Sequence, residues 1–425
     1  MSKAPSTNDN RHLPFIEKLL EGGEVEWKAL GEIGEFQRGK RFVKKDMISE
    51  GTPCIHYGEM YTHYGIWADQ SKSFLSEELV ESKKLRIAEK GDVVIVAAGE
   101  TIEDIGMGTA WLGEEGVVIH DACFSYRSPL NPKYIAFFSR TREFHDQIRR
   151  HISSGKISAI NSKGLSKVEI PIPCPNDPER SLQIQQEIVR ILDTFTELTA
   201  ELTAELTAEL TARQKQYAYY RERLLSFETT NDTKGTNVVW KALGEVFDMR
   251  AGQHIPSSKI SPSFDNVNAF PCFGGNGIRG YVAKHSHNGE HLLIGRQGAL
   301  CGNVQRFKGM FYATEHAVVV TAKDDINIDW AFHMLTVMNL NQYASQSAQP
   351  GLAVGKLKKL KIPIPFPEEQ ARIVSILDKF DVLTTSISDG LPREIELREK
   401  QYEYYRDLLL SFPNTDHEPH ERHEN

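Results

Sequence analysis

Hydrophobic positions recur every four residues in the centre of the chain. Residues 196–212 read TELTAELTAELTAELTA, with leucine at Leu198, Leu202, Leu206 and Leu210. Alanine, leucine and glutamate favour helices, and a four-residue spacing keeps each leucine within about 40° of the previous one on a helix surface. Because this segment contains no glycine or proline, the pattern predicts the middle of a long helix whose leucine stripe packs against a partner.

A second segment of the chain has the same apolar spacing. A shift of 185 residues places 213–227 (RQKQYAYYRERLLSF) over 398–412 (REKQYEYYRDLLLSF), and 188–195 over 373–380. Two helices of one length and spacing are expected to cover each other's stripe. A break or kink is expected at 390–392, Gly-Leu-Pro. The alternative, two helices buried separately in unrelated domains, stays open. By the same shift, the predicted partners of the four leucines are Leu383, Ile387, Leu391 and Ile395.

Two β-rich regions flank the central helix and repeat the same order of motifs. Each begins with WKALGE, at 27–32 and 240–245, and ends with IPIP, at 170–173 and 362–365. Short strand-like runs separated by glycine, with one or two amphipathic helices, are typical of a compact α+β domain. The proline-rich ends predict an extended strap ahead of each long helix.

These patterns predict an α+β fold with two globular α/β domains, joined by two long antiparallel helices in a pseudo-twofold, circular arrangement. The expected divisions are 1–23 (N-terminal tail and short helix), 24–175 (first domain), 176–228 (central long helix), 229–366 (linker and second domain), 367–412 (second long helix) and 413–425 (polar tail).

Charge and cysteine content narrow the class of protein only slightly. The chain of 425 residues has a formal net charge of −8, but residues 240–366 carry 13 Lys+Arg against 8 Asp+Glu. The five cysteines form no CxxC pair or regular framework, which is typical of reduced intracellular thiols. Without a signal peptide or an apolar run long enough to span a bilayer, the chain is expected to be cytoplasmic and not bound to a membrane.

Several fragments resemble enzyme motifs but lack the context that the chemistry needs. Residues 275–280, GNGIRG, fit GxGxxG, yet strand and loop follow where a dinucleotide site requires a helix. Residues 131–134, NPKY, lack the second proline of an NPPY motif and predict a helix start. His285, His287 and His291 fit solvated side chains better than metal ligands. We therefore predict no catalytic residue and no metal site in this chain.

The glycine-flanked polar loops are the best candidates for a binding surface. Arginine can form a bidentate pair with guanine, asparagine and glutamine can pair with adenine, and glycine lets the backbone approach a phosphate. Any one loop alone fits a solvated surface, but their recurrence in both domains favours a shared DNA-binding face. The candidates in the first domain are Arg38, Lys40, Arg41, Tyr57, Tyr61, Tyr64, Arg149, Ser154 and Lys156. Those in the second domain are Arg250, Asn276, Arg279, Tyr281, Arg296, Gln297 and Gln349.

The whole arrangement resembles the specificity subunit of type I restriction–modification enzymes, in the subgroup with TAEL repeats. The TAEL units, the IPIP straps, the two similar helix ends and the GGNGIRGY and GRQG loops carry the resemblance. It implies that each domain is a target-recognition domain reading one half of a split double-stranded DNA target. The helices would dock two modification subunits and set the half-target spacing.

The resemblance also implies that this chain has no activity or cofactor of its own. Modification subunits would supply S-adenosylmethionine and methylate adenine N6, and restriction/translocase subunits would use ATP and Mg. Two other classes stay open. A fused DNA adenine methyltransferase would need the missing cofactor motifs, and a helical protein-only scaffold would have no DNA affinity.

Overall fold

The computed structural model describes residues 14–99, 101–153, 157–227, 238–298, 300–323, 325–345, 350–385 and 390–412. They form two compact units. Unit 1 comprises Met1–Ala204 and Glu396–Asn425, and unit 2 comprises Glu205–Ile395. Each unit combines helices with sheets, so the predicted α+β class is confirmed. No helix in these ranges is long and apolar enough to cross a membrane.

Unit 1 is built from the first thirteen strands and the first eight helices of the chain, the eighth of which continues into unit 2. The helices are α1 (Pro14–Leu20), α2 (Leu30–Ile33), α3 (Tyr57–Thr62), α4 (Glu77–Lys83), α5 (Pro132–Phe138), α6 (Arg142–Arg149), α7 (Ser162–Leu165) and α8 (Pro178–Leu225). The strands are β1 (Val25–Ala29), β2 (Glu35–Arg38), β3 (Thr52–Ile55), β4 (Trp67–Ala68), β5 (Ser73–Leu75), β6 (Ile87–Ala88), β7 (Val93–Val96), β8 (Ala98–Gly99), β9 (Gly108–Trp111), β10 (Val117–Ile119), β11 (Cys123–Arg127), β12 (Ser158–Ala159) and β13 (Glu169–Pro173). A 3-10 helix covers Lys44–Asp46.

Unit 2 repeats this order with fewer and longer strands. Its helices are α9 (Leu243–Val246), α10 (Ile328–Val337), α11 (Val354–Leu357), α12 (Pro367–Thr385) and the start of α13 (Leu391–Leu409), which ends in unit 1. Its strands are β14 (Val239–Ala242), β15 (Phe247–Ala251), β16 (Phe270–Gly274), β17 (Gly277–Val282), β18 (His287–Gly295), β19 (Val304–Ala313), β20 (Ala317–Ala322) and β21 (Lys361–Ile364). Two 3-10 helices cover Ser257–Lys259 and Leu340–Tyr343.

The sheets differ between the two units, although the order of elements along the chain is similar. Unit 1 has a five-stranded sheet in the order β2-β11-β7-β9-β4 and a four-stranded sheet in the order β5-β3-β10-β6. Unit 2 has one six-stranded sheet in the order β15-β20-β18-β19-β16-β17. Long strands β18 and β19 are paired from His287↔Phe311 to Ile294↔Val304. In unit 1, the shorter β9 and β10 lie in separate sheets.

The predicted straps are extended, and each pairs with the WKA strand at the start of its region. Trp27 lies opposite Pro171 in the β1–β13 pair, and Trp240 lies opposite Pro363 in the β14–β21 pair. Proline cannot donate a ladder hydrogen bond, so it is tolerated in these two-stranded sheets, where one side of each strand is unpaired. The paired strands tie the first and last strands of each globular region together.

The start and the end of the described chain contribute to one core. Ile16 of α1 belongs to the same buried cluster as Leu409, Leu410 and Phe412 at the end of α13. In unit 2, Leu225 at the end of α8 is buried in a cluster with Ile373 and Leu377 of α12.

The shift of 185 residues relates equivalent contacts of the long helices. In unit 1, Phe195 packs on Tyr405 with ring centroids 5.9 Å apart, and the Thr196 and Tyr402 hydroxyls lie 2.9 Å apart. In unit 2, the equivalent pair of Phe195 and Tyr405 is Phe380 and Tyr220, with centroids 5.7 Å apart. In unit 1 the helices therefore run antiparallel, because residue number falls along α13 as it rises along α8.

The predicted pairing of the leucine stripes is therefore wrong in detail. Thr196 contacts Tyr402, which places the neighbouring part of α8 beside α13 of unit 1, so the shift matches equivalent positions and not contacting ones. Leu198 is 56% exposed, whereas Leu202, Leu206 and Leu210 are half-buried. A strict four-residue repeat drifts by about 40° per unit around a helix, so one straight seam cannot cover all four leucines.

The second long helix is interrupted where glycine and proline predicted a break. Helix α12 ends at Thr385, and α13 begins at Leu391, directly after Gly390 with φ of +129°. A residue with a side chain rarely adopts this φ, so glycine suits the position. Leu383, Leu391 and Ile395 are half-buried, and Ile387 lies outside the described residues.

Candidate nucleic-acid interface

Three strands of unit 1 bring the first candidate loop to one edge of the five-stranded sheet. Strand β2 ends, β11 begins and β7 ends at this edge, because both neighbours of β11 are antiparallel to it. The register pairs Arg38 with Phe124 and Cys123 with Val96. Loops leaving this edge carry Arg38, Lys40 and Arg41, and on the β11 side His120 and Asp121. We call this group, together with His56 and Tyr57, the loop edge of unit 1.

The backbone crosses its neighbour closely at Gly39. The Gly39 N–H donates to Cys123 O at 3.0 Å, and the Lys40 N–H donates to Ile119 O at 3.2 Å. A Cβ on Gly39 would lie 2.2 Å from His120 O, closer than atoms can approach. Only glycine fits this crossing without a shift of the backbone. The two residues that follow leave the crossing toward solvent, with Lys40 half-buried and Arg41 exposed.

Rings of histidine, tyrosine and phenylalanine form the floor of this loop edge. The His120 ring lies 4.7 Å from His56, 5.2 Å from Tyr57 and 5.1 Å from Phe42, measured between centroids. His120 Nδ1 accepts from the Ala122 N–H at 3.1 Å, and its Nε2 lies 3.0 Å from Phe42 O. This pattern fits neutral imidazole that carries its proton on Nε2.

Burial favours the uncharged form of both imidazoles. It lowers the pKa of His56, and the neighbouring His120 lowers it further. Burial also lowers the pKa of His120, against the opposing charge of Asp121. His120 Nδ1 lies 3.1 Å from an Asp121 carboxylate oxygen, but we regard this contact as secondary because Nδ1 already accepts from Ala122. The ring cluster is thus an aromatic platform in which burial disfavours the cationic form of both histidines.

The other candidates of unit 1 fall into separate places. Arg38 Nε donates to Asp121 O at 2.9 Å, so Arg38 belongs to the loop edge. Tyr61 on α3 is half-buried, and its hydroxyl packs on Gly99. A Cβ at Gly99 would lie only 2.9 Å from that hydroxyl. Tyr64 is only 7% exposed and its hydroxyl accepts from the Lys72 N–H at 2.9 Å. We therefore correct the assignment of Tyr64, which packs the core.

Arg149 lies apart from the loop edge. It lines a cleft of about 1070 Å³ together with Arg140 and with Arg406 of α13, and its guanidinium is 3.6 Å from Asp146. This position on α6 gives Arg149 a different surface from the other candidates. Ser154 and Lys156 lie outside the described residues.

Unit 2 reproduces the same edge with its own strands. Strand β15 ends, β20 begins and β18 ends together, with Ala251 opposite Val318 and Gly295 opposite Ala317. The Gly252 N–H donates to Ala317 O at 3.0 Å, and the Gln253 N–H donates to Ala313 O at 2.9 Å. A Cβ on Gly252 would lie 2.3 Å from Ala313 O. The glycine crossing of unit 1 is therefore repeated here.

Two glycine-rich loops meet beside this crossing. A Cβ on Gly295 would lie only 1.9 Å from Gly275 O, so the GGNG and GRQG segments touch through their backbones. Asn276 is exposed, and its side-chain oxygen accepts from Asn303 at 3.2 Å. Gln297 is exposed and its backbone bridges to Gly351. The structure thus brings together the two loops that carry Asn276 and Gln297. The loop edge of unit 2 consists of Gln253, His254, Gly275, Asn276, Arg296, Gln297, Glu315 and His316.

Arg296 also braces this edge from within. Its Nε donates to Leu352 O at 3.3 Å and its Nη1 donates to Glu315 O at 3.2 Å. Removal of this side chain would leave both carbonyls without these donors, so Arg296 supports the local fold in addition to any contact it makes with a ligand.

The remaining candidates of unit 2 surround the β16–β17 hairpin or lie on β15. Arg279 Nη2 donates to Ser257 Oγ at 2.8 Å, and the Tyr281 ring packs on Phe264 at 5.8 Å. Arg250 is exposed and pairs with Asp248 at 3.1 Å. Gln349 lies outside the described residues. The GxGxxG segment forms the turn and second strand of this hairpin, as expected for a segment that is not a dinucleotide site.

Two cysteines and two of the clustered histidines are engaged in packing. Burial raises the pKa of the Cys54 and Cys123 thiols to about 12, which disfavours the nucleophilic thiolate. His287 and His291 pack around Phe311, and His291 Nδ1 lies 3.0 Å from Thr321 Oγ1. Within the described ranges, no three potential metal ligands are grouped.

Comparison with known proteins assigns the family. The family model of the type I restriction modification DNA specificity domain matches residues 23–212 and 236–397. The chain belongs to this family. It is 47% identical over 381 residues to the type I restriction enzyme EcoprrI specificity subunit of Escherichia coli, covering 89% of this chain and 92% of that protein. It is 33% identical over 437 residues to the EcoR124I/EcoR124II specificity subunit of Escherichia coli, covering 95% and 98%.

Solved structures of specificity subunits share the fold. A chain from a study of complex assembly and conformational transition of the type I R-M system has a TM-score of 0.64 at 16% identity, covering 92% of this chain and 98% of that one. The HsdS subunit from Thermoanaerobacter tengcongensis has a TM-score of 0.51 at 16% identity, covering 91% and 95%.

Two residues of the loop edge of unit 2 were not among the candidates predicted from the sequence. Gln253 and His254 follow the crossing glycine of unit 2 as Lys40 and Arg41 follow that of unit 1, and both are exposed. A signal was present in the sequence. Gly39 lies twelve residues after Trp27, and Gly252 lies twelve residues after Trp240, in the two copies of the WKALGE motif.

Proposed function

We propose that this chain is the DNA sequence-recognition subunit of a type I restriction–modification complex, and that each unit reads one half of a bipartite double-stranded target. The family match over both halves of the chain is the observation that carries this proposal. The two loop edges support it, because the same strand ends present polar, glycine-bordered loops in each unit. Such loops suit hydrogen bonding to bases and close approach to phosphates.

The expected domain layout belongs to this proposal. Residues 24–175 and 229–366 would act as the two target-recognition domains. The helices at 176–228 and 367–412 would join them, set the distance between half-targets and dock the partner subunits. Exposed aromatic side chains at equivalent positions support docking of two copies of one partner. Tyr219 on α8 is 56% exposed, and Tyr404 on α13, 185 residues later, is 62% exposed.

The specificity family is non-catalytic, and catalysis would come from the partners. Two modification subunits would bring S-adenosylmethionine and transfer its methyl group to adenine N6. Restriction/translocase subunits would bring ATP and Mg for translocation and cleavage. The role of this chain is to hold these subunits at a chosen sequence in the cytoplasm.

The proposal is tested by co-expressing this chain with its modification partner and mapping adenine methylation across a genome. We expect methylation at one split sequence with a fixed spacer. Methylation of many unrelated sites, or methyl transfer by this chain without its partner, would contradict the proposal. The latter result would instead favour a fused methyltransferase, and loss of DNA affinity in the assembled complex would favour a protein scaffold.

A further inference from the structure

The closest structural match between the two loop edges is the pair of glycine crossings. We name residues 39–41 and 252–254 the crossing loops. In each unit the glycine N–H donates at 3.0 Å to the first residue of the next strand, Cys123 in unit 1 and Ala317 in unit 2. The following N–H donates to the last residue of β10 or β19, Ile119 or Ala313.

The residues beside the crossings differ in type while the backbone is the same. Histidine and tyrosine rings lie next to the crossing in unit 1, whereas the Gly274–Gly275 backbone lies next to it in unit 2. His120 of unit 1 is replaced by Thr314, since the His120 N–H bonds Ile55 O and the Thr314 N–H bonds Phe273 O. A backbone crossing that persists through such changes holds the next two residues in a fixed place.

The segment that leads to each crossing glycine is also held at its start. Twelve residues before each glycine, a tryptophan lies opposite a strap proline, Trp27 with Pro171 and Trp240 with Pro363. Paired strands therefore hold both ends of the segment from the tryptophan to the crossing glycine, up to Arg38 in unit 1 and Ala251 in unit 2. Rigid elements hold contact residues more accurately than free loops do, which favours their use in recognition.

The side chains after each glycine are available for a ligand. Arg41 and Gln253 are exposed, and within the described ranges neither side chain forms a hydrogen bond to the protein. His254 is exposed and its Nδ1 lies 2.8 Å from Glu315 Oε1. Lys40 is half-buried and reaches only Lys83 O, at a long distance of 3.4 Å.

We propose that the two crossing loops contact DNA from equivalent positions, with Gln253 and His254 serving the half-target of unit 2 as Lys40 and Arg41 serve that of unit 1. This inference rests on the proposed function. The chemistry of the two contacts differs. Lys40 and Arg41 place two cationic side chains against the DNA backbone. Gln253 places an amide that can hydrogen-bond a base edge, and adenine is the base it can pair with in bidentate fashion.

The test uses the full chain assembled with its modification partner, after the split target has been mapped. DNA duplexes with one half-target altered at a time are compared by methylation rate and by equilibrium binding. The double variant Gln253→Ala/His254→Ala should lose about 5- to 150-fold of its preference for the correct half-target of unit 2, while discrimination at the other half stays unchanged.

The double variant Lys40→Ala/Arg41→Ala should behave differently. Each lost phosphate contact makes the negative slope of log K against log salt shallower by about 1, so this variant should make it shallower by about 2. The Gln253→Ala change alone should leave this slope unchanged. Asn288→Ala is the matched control, because Asn288 is an exposed amide at the opposite end of β18 from Gly295.

Thermal unfolding of each complex separates a lost contact from a damaged fold. We expect the melting temperature of the Gln253→Ala/His254→Ala variant to equal that of the control. Unchanged discrimination at both halves, or equal loss at both, would overturn the inference while the wild-type complex still reads its target. Failure of the wild-type complex to prefer any sequence would overturn the proposed function itself.

Discussion

Unit 1 and unit 2 attach a globular region to a long helix through the same buried side chain. Gln185 of α8 and Gln370 of α12 are both fully buried. Gln185 Oε1 accepts from the Asn131 N–H at 2.9 Å, and Gln370 Oε1 accepts from the Asn327 N–H at 2.8 Å. Asn131 and Asn327 are in turn the N-caps of α5 and α10. The joint is thus equivalent in both units.

The ion pairs beside this joint differ between the units. In unit 1, Asp193 of α8 pairs with Lys133 at 2.5 Å. In unit 2, the equivalent Asp378 pairs with Arg306 at 2.8 Å, and Arg306 also reaches Asp329 at 3.0 Å and Asp381 at 2.8 Å. The cation comes from α5 in unit 1 and from β19 in unit 2. The equivalent aspartates are therefore neutralised by cations from different elements. The glutamine that bonds the backbone is the same in both units.

The largest loss of stability is expected from replacing the two buried glutamines. Gln370→Met removes three hydrogen bonds: the one from the Asn327 N–H to Oε1, and those from Nε2 to Pro365 O and Asp325 O. Gln185→Met loses two, including the bond from Nε2 to Ser181 Oγ. At about 1 kcal/mol for each bond, we expect losses of about 3 and about 2 kcal/mol in the free energy of unfolding.

Urea unfolding, followed by hydrogen exchange of peptides from α10 and α5, measures the two losses separately. Gln214→Met serves as the control, because Gln214 is an exposed glutamine of α8, the helix that carries Gln185. Equal stability of all three variants would show that the joints do not depend on these bonds.

A smaller effect is expected from the cations at the joint. Arg306→Ala leaves three neighbouring carboxylates without their shared partner, and we expect a loss of about 2 kcal/mol after discounting for the 30% exposure of the side chain. Lys133→Ala leaves one carboxylate, and the expected loss is about 1 kcal/mol. Burial lowers the pKa of Arg306, but the hydrogen bonds and charges of Asp378, Asp381 and Asp329 together outweigh burial and raise it.

The salt dependence of stability tests whether charge causes these losses. Unfolding free energies of both variants and of the wild type are measured at low and high salt. The difference between wild type and Arg306→Ala should shrink with salt if charge is its source. A loss that does not depend on salt would instead assign it to packing of Arg306 on Phe332, where the guanidinium lies 4.8 Å from the ring centroid.

A further effect on stability, one that depends on pH, is expected at His333. This side chain is fully buried, and burial lowers its pKa, against the hydrogen bond to Asp378. The unfolded chain therefore binds a proton before the folded chain does, and stability is lost as pH falls from about 6.5 toward the lower folded value. The residue in the place of His333 in unit 1, counted from the N-cap asparagine, is Phe137.

His333→Phe removes this titration from unit 2. At pH 8 the variant should be less stable than the wild type, because the contacts of His333 with Asp378 and Tyr217 are lost. As pH falls to 5, the difference in unfolding free energy should shrink. Parallel stability curves for the two proteins would contradict a lowered pKa at His333.

The smallest change is expected from deletion of one TAEL unit, residues 203–206. Four residues add roughly 6 Å and a net turn of about 40° to a helix, and one base pair turns DNA by roughly 35°. We therefore expect the preferred spacer to shorten by one base pair, with both half-targets unchanged. Methylation mapped on DNA with altered spacers measures it. An unchanged spacer, or a change of two base pairs, would show that the turn of one TAEL unit does not set the spacer length.

Local structure in this protein was predictable because it depends on neighbours in the chain. The glycine and proline at 390–392 predicted a break in the second helix, and Asn131 caps a helix where a helix start was expected. Asn327 caps the equivalent helix of unit 2. The 185-residue repeat identified equivalent positions of the two long helices, including Phe195 and Phe380. Capping, turn formation and helix breaking involve groups within a few residues of each other.

Only the tertiary structure decided which of these positions touch and which face solvent. The repeat could not set the register of α8 against α13, because equivalent positions in an antiparallel pair are not contacting positions. Tyr64 and Tyr57 have the same sequence context of glycine and histidine, yet one is buried and the other lies on the loop edge. The crossings at Gly39 and Gly252 bring strands far apart in the chain within hydrogen-bonding distance. Their burial and position depend on packing between distant segments, which no local pattern specifies.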